Sequence, residues 1–298
     1  FAKFLPEFEV VAQFKRSESL NFTYKQEVNF TDVNQIARGI VANSYNSFFL
    51  GNPGLLNASF HNVTLRYSSF NLFNASNVFA RVNYKKTANQ VNQNTIFEPG
   101  SVVFSSTTIN SPLDNESFTS FIGLGKTIKK IRTRVGGNFS YNKTYQFINS
   151  EENINESLVR GMNASIGTNF TKAPNVSLAY RVTLVSQSNN ARRADIETVT
   201  HAPSINFDAY ILNSLTVTSD FTFNEVRRDG AAQSSFNIWN AKLAYRKDRD
   251  AKWEYELVGN NLLATDSQVN VSQSIIAFTV NERFILPRFV SIRVRYQL

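Results

Sequence analysis

Residues 286–298 read LPRFVSIRVRYQL, and within them Val290, Ile292, Val294, Tyr296 and Leu298 alternate strictly with Ser291, Arg293, Arg295 and Gln297. A period of two sends successive side chains to opposite faces, so this stretch predicts a strand with one apolar and one polar face. The same text recurs upstream. Leu215, Val217, Phe221 and Phe223 alternate with Thr216, Thr218, Asp220 and Asn224, and Val176, Leu178, Tyr180, Val182 and Leu184 repeat the pattern. Similar runs start at Phe8, Leu20, Val63, Val78, Phe118, Val135, Met162, Ile205, Trp239 and Trp253. About 13 strands and essentially no helix are expected. The adjacent Ile238 and Trp239 break the phase, which predicts a bulge or a strand boundary there.

Alternation alone does not say which face points inward; the connections do. Lys15–Ser19, Asn71–Ser76, Gly125–Ile131, Thr171–Asn175, Leu212–Ser214 and Lys247–Lys252 are short turns, and all fall at one end of the strands. Longer links are expected at the other end, over Thr31–Asn57, Ala88–Ser101, Asn149–Glu156, Ser186–Asp195, Glu225–Ser234 and Thr265–Asn281. Short turns on one rim and long loops on the other are the mark of an outer-membrane barrel. Tyr245, Trp253, Tyr255 and Tyr296 cluster toward the short rim, as an interfacial girdle would. The fold class expected is therefore all-β, an antiparallel transmembrane up-and-down β-barrel.

Composition agrees. The 298 residues carry 31 Lys+Arg against 23 Asp+Glu, 26 Phe and 11 Tyr, with two His, one Met and no Cys. Without Cys there is no disulfide, no thiolate nucleophile and no Cys-ligated metal. No run approaches the roughly 18 apolar residues of a transmembrane helix. The first residues, FAKFLPEFEV, lack an initiator Met and a signal-peptide pattern. They suggest a chain that begins inside something larger, or one matured by processing.

Charge falls out of phase with the apolar positions. Arg66, Arg81, Arg134, Arg181, Lys242, Glu254, Glu256, Arg293 and Arg295 occupy alternate positions and are the candidate lining of a polar lumen. This placement is what energetics demands, because a charge on the lipid face near the midplane costs roughly 2–4 kcal/mol. Arg192, Arg193, Arg227 and Arg228 fall in expected outer loops, where they would meet lipopolysaccharide phosphates. Lumen Arg and Lys would instead guide anionic substrates. The basic residues are dispersed by strand phase rather than gathered in a stripe, which argues against nucleic-acid binding.

Catalytic chemistry finds little support. The only histidines, His61 and His201, lie in the apolar phase without a nucleophile elbow beside them and are better placed as interfacial rings. Glu254 and Glu256 share a strand face, but any i, i+2 carboxylate pair in a barrel does so, and a solvated wall explains them. No metal-ligand cluster, phosphate loop or nucleotide fingerprint is present, so no catalytic residue, metal or cofactor is expected. About 13 N-x-[ST] triplets, including those at Asn21, Asn62, Asn138 and Asn270, follow from an Asn-, Ser- and Thr-rich composition. The longest link holds NSYNSFFLGNPGLLN, where Tyr45, Phe48 and Phe49 would contact a ligand or a lipoprotein lid, or fold into the barrel mouth.

The run NNLLATDS (Asn260 to Ser267), followed by a link and NERFILPRFVSIRVRYQL, resembles the last strands of TonB-dependent receptors of the Bacteroidetes lineage. SLNFTYK (Ser19 to Lys25), GNPGL (Gly51 to Leu55) and HNVTLRYSSF (His61 to Phe70) resemble a hairpin of the same barrels, and FNIWNAKLAYRKDRDAKWEYELVGNNLL is similar too. The resemblance implies a 22-stranded outer-membrane barrel of a Gram-negative bacterium with a plug inside, of which residues 1–298 would be the C-terminal portion. It implies a receptor for energised nutrient uptake, with an inner-membrane energy coupler and a surface lipoprotein as partners. The alternative is a barrel that serves as scaffold or assembly subunit of an envelope complex without transporting anything.

Overall fold

In the computed structural model, residues 1–2, 98–99, 101–102, 172–173, 191–194, 212–213, 249, 274–277 and 298 lie outside the description, and residues 268–273 and 278–282 are described by backbone alone. Thirteen strands follow one another as an antiparallel meander: β1 (Glu7–Lys15), β2 (Glu18–Asn29), β5 (Ala58–Asn71), β6 (Ser76–Ala88), β9 (Asn115–Ile128), β10 (Ile131–Ile148), β11 (Glu151–Thr168), β12 (Asn175–Asn189), β13 (Ile196–Ile211), β14 (Leu215–Arg228), β15 (Ala231–Tyr245), β16 (Trp253–Asn260) and β19 (Phe289–Tyr296). Six short strands interrupt them at the distal rim: β3 (Ile40–Ser44), β4 (Ser47–Leu50), β7 (Val91–Phe97), β8 (Phe104–Asn110), β17 (Ser267–Gln273) and β18 (Phe278–Phe284). The all-β up-and-down sheet is thus observed, with one helical turn, α1 (Val33–Ile36), capped by Asp32. It is not closed: among the described residues β1 pairs only with β2, and β19 only with β16.

Register confirms the two faces. Phe22, Leu65, Val82, Ser120 and Phe139 form one cross-strand row on the apolar face, while Asn21, Arg66, Arg81, Phe121 and Asn138 form the adjacent row on the polar face. On β10 the apolar face runs from Ile131 through Val135 and Phe139 to Tyr141 and then meets Lys143. That is about the 9–11 residues a tilted strand needs to cross a hydrocarbon core. Tyr24, Val63, Tyr84, Phe118 and Tyr141 form the last row of this band, and Gln26, His61, Lys86, Glu116, Lys143 and Glu156 form the polar row beyond it. Trp253 and Tyr296 pack at 4.8 Å between ring centroids at the opposite rim. Two aromatic belts therefore bracket the apolar band.

Several expectations about the rims are corrected. The links over 149–156 and 225–234 are tight hairpins, with Asn149–Ser150 between β10 and β11 and Asp229–Gly230 between β14 and β15. Asn149 and Asp229 take positive φ of 51° and 48°, conformations that Asn and Asp tolerate, and Ser150 takes 65°, which lets the ladder continue up to the turn. The link over 265–281 is largely the hairpin β17–β18, and residues 186–189 of the link over 186–195 belong to β12. Ile238 and Trp239 are in regular register opposite Thr222 and Phe221; the bulge falls at Gln233, between the pairs Val226 with Ser234 and Arg227 with Ala232. Ile238 simply adds an apolar side chain to the polar face.

Candidate functional site

Two regions gather the polar chemistry: the polar face of the meander and a crown on its distal rim. The crown is built from the two longest links. β3 pairs with β4, β4 runs parallel to β8, β8 pairs with β7, and β7 runs parallel to the distal end of β10 through Asn94 with Phe147 and Thr95 with Ile148. Its interior is made of small polar residues, with Ser47, Asn94, Thr95, Ser106, Thr108 and Ser111 all buried. Such groups are stable inside only when bonded. Asn94 Nδ2 donates to Ser150 Oγ at 3.1 Å, Ser106 Oγ to the Phe48 carbonyl at 3.3 Å, and Asn52 Nδ2 to the Thr108 carbonyl at 2.9 Å.

The NSYNSFFL stretch is a structured hairpin within this crown. Tyr45 caps its turn and is 92% exposed, Phe48 is exposed, and Phe49 is half-buried. Gly51 is where this hairpin returns: the Ala37 carbonyl fills the space a Cβ would take, and the Asn52 N–H donates to the Gln35 carbonyl at 2.7 Å. Because backbone, not a flexible side chain, blocks that space, Gly51→Ala is expected to loosen the hairpin by about 1–3 kcal/mol, the usual cost of overpacking. Trypsin cleavage after the neighbouring Arg38 should then accelerate about tenfold or more; an unchanged rate would contradict this packing.

On the polar face the candidate lumen residues Arg66, Arg81, Arg134, Arg181, Lys242, Glu254, Glu256, Arg293 and Arg295 all share one phase. Arg293, opposite Glu256 in the ladder, forms no ion pair among the described residues, and the other eight separate into two groups. On β15, β16 and β19, Arg246 pairs with Glu254 at 3.3 Å, Lys242 with Glu256 at 3.4 Å, and Arg295 bridges Glu254 at 3.8 Å and Glu256 at 3.3 Å. Glu256 is 1% exposed. Arg246 also donates to Gln297 Oε1 at 3.0 Å. The two carboxylates are thus engaged as counterions to this cluster, and the strand spacing that put them together did not reveal their partners. The second group, Arg66, Arg81, Arg134 and Arg181, has no carboxylate within ion-pair distance among the described residues.

Of the four expected loop arginines, Arg192 and Arg193 lie outside the described residues. Arg227 and Arg228 belong to β14 and not to a loop; Arg227 extends the apolar phase beyond the band and pairs with Glu225 at 3.2 Å, while Arg228 takes the polar phase. Lys86, also beyond the band, pairs with Asp114 at 3.1 Å, and this contact holds its ammonium above the usual lysine range. His61 and His201 are each engaged at Nδ1 by a tyrosine hydroxyl, from Tyr24 at 2.7 Å and Tyr180 at 2.6 Å. Both are diagonal cross-strand pairs, with rings stacked at 6.0 and 6.2 Å.

Sequence reasoning missed the role of Asn261 in NNLLATDS. Asn261 is buried at positive φ, its Nδ2 donates to the Thr265 and Leu286 carbonyls at 2.8 and 3.1 Å, and its Oδ1 accepts from the Thr265 N–H at 2.9 Å. One side chain thus pins both feet of the β17–β18 hairpin to the end of β16. The motif is a structural clasp. Its signal in the sequence was an Asn-Asn pair directly after a strand, where a left-handed turn is cheapest.

The arrangement defines a class: an amphipathic antiparallel meander with an apolar band, two aromatic belts, short turns on one rim and a structured crown on the other. Compared with protein-family models the chain matches none, and compared with curated proteins it matches none either.

Proposed function

We propose that this chain forms wall and crown of a TonB-dependent outer-membrane transporter, taking up a nutrient ligand with energy supplied by an inner-membrane coupler. The observation that carries the membrane part is the apolar face, a band of about 9–11 residues between aromatic belts. The resemblance of NNLLATDS and the terminal strand to this receptor family supports the transport part. The sheet edges fit the reading. β1 and β19 both run toward the short-turn rim, so they cannot close on each other as an antiparallel pair. A bilayer tolerates no open edge. In this reading both edges pair with further strands of one larger, even-numbered barrel.

The crown would then face outward to receive ligand, the polar face would line the lumen, and the coupler would act through a plug outside these strands. Deleting the coupler is expected to abolish uptake while leaving surface binding intact. Uptake that persists would overturn the transport reading in favour of a barrel serving as a scaffold in an envelope complex.

A further inference from the structure

The polar face of β5, β6, β9, β10, β11 and β12 carries six basic residues, Arg66, Arg81, Lys85, Arg132, Arg134 and Arg181. The one carboxylate in the same phase is Glu151, at the distal tip of β11. None of the six forms an ion pair among the described residues, and Arg66, Arg81, Arg134 and Arg181 are exposed on the face. Arg66 and Arg81 stand directly opposite each other in the ladder. Like charges so placed, with Cα atoms about 4.5–5.5 Å apart, repel and destabilise a sheet. The same wall answers Lys242, Arg246 and Arg295 from within: at β15, β16 and β19 it encodes Glu254 and Glu256 as fixed counterions. Where it encodes none, the counter-charge is exchangeable.

The surroundings are shaped as well as charged. Asn77 lies over Gly125, Asn163 over Gly136 and Asn138 over Gly161, each carboxamide occupying the space a Cβ would take. The wall between the arginines is therefore a flat carpet of amide groups. Phe79 and Phe121 rise from it beside Arg81 as a tilted pair 5.9 Å apart. Guanidinium forks, amides and two phenyl faces form a surface for an oxyanion attached to an apolar or planar body.

We infer that this patch binds the carboxylate or phosphate of an anionic solute, with Arg66 and Arg81 as its central contacts. The inference rests on the reading that the polar face lines the lumen, and it names the substrate class. A basic wall facing a confined aqueous space concentrates anions along it.

The test uses the full protein purified from outer membranes, with folding verified by its heat-modifiable gel mobility. Equilibrium dialysis with radiolabelled inorganic phosphate is expected to show saturable binding that citrate displaces and choline does not. The double variant Arg66→Gln/Arg81→Gln should weaken it about tenfold, and Arg160→Gln, on the opposite face, should leave it unchanged. Phosphate binding that is absent, or equal in the double variant, from a folded outer-membrane protein overturns the anion site alone. A protein recovered outside the membrane fraction overturns the lumen reading, and the site with it.

Discussion

An arginine placed at Val135 is expected to destabilise the membrane-embedded protein by about 2–4 kcal/mol, the cost of a cation on a lipid-facing strand near the bilayer midplane. Val135 is midway along the apolar band of β10, opposite Leu124 of β9 and Ala164 of β11. No carboxylate flanks it in the ladder, so the guanidinium would have to displace lipid or snorkel past Phe139. Ser140→Arg is the control on the same strand. Ser140 points to the polar face, opposite Thr119 and Val159, where water solvates the new charge. Its cost should stay within about 0.5 kcal/mol, as for most surface changes. Denaturant unfolding in liposomes measures both, and equal costs would mean that the two faces see the same solvent.

Glu256→Leu is expected to cost about 2–3 kcal/mol. Glu256 is the most deeply buried charged side chain among the described residues and answers both Lys242 and Arg295. Removing one partner of a buried pair costs about 3–5 kcal/mol because the remaining charge is left uncompensated. Lys242 and Arg295 are more than one-third exposed, so solvent screening reduces that figure. The sign of the argument is tested by adding Lys242→Leu: with fewer stranded cations, the double variant should regain part of the lost stability. A double variant weaker than the sum of its parts would show that the ion pairs are not what places Glu256.

The strands were legible because their period is a direct imprint of a two-sided environment. The terminal run from Val290 to Tyr296 needed no neighbour to be recognised, and β10, β12 and β14 follow the same rule. The rims were not legible for a different reason. Around Asn149, Ser150, Asp229 and Gly230 the residues are those of loops, yet the ladder extends to the turn because a partner strand offers its backbone groups. The crown strands Ile40–Ser44 and Ser47–Leu50 are too short for any period to show, and the partner of the second, β8, comes from more than 50 residues away. The polar phase identified every candidate lumen residue as sharing one face. It did not divide them into the ion-paired group around Glu256 and the unpaired group around Arg66, because that division depends on which strands stand side by side.

On the proposed reading the apolar face of the meander meets lipid and the polar face meets water. The absence of cysteine gives a clean background for placing one nitroxide at a time along β10, from Ile131 to Ser140, in the protein inserted in bilayers. Collision rates with oxygen, which partitions into lipid, and with a water-soluble nickel chelate distinguish the two environments. This placement of the two faces predicts a period of two, with oxygen collisions dominant at 131, 133, 135, 137 and 139 and nickel collisions dominant at the residues between them. Loss of that alternation, or dominance of the nickel reagent at Val135 and Phe139, would contradict it.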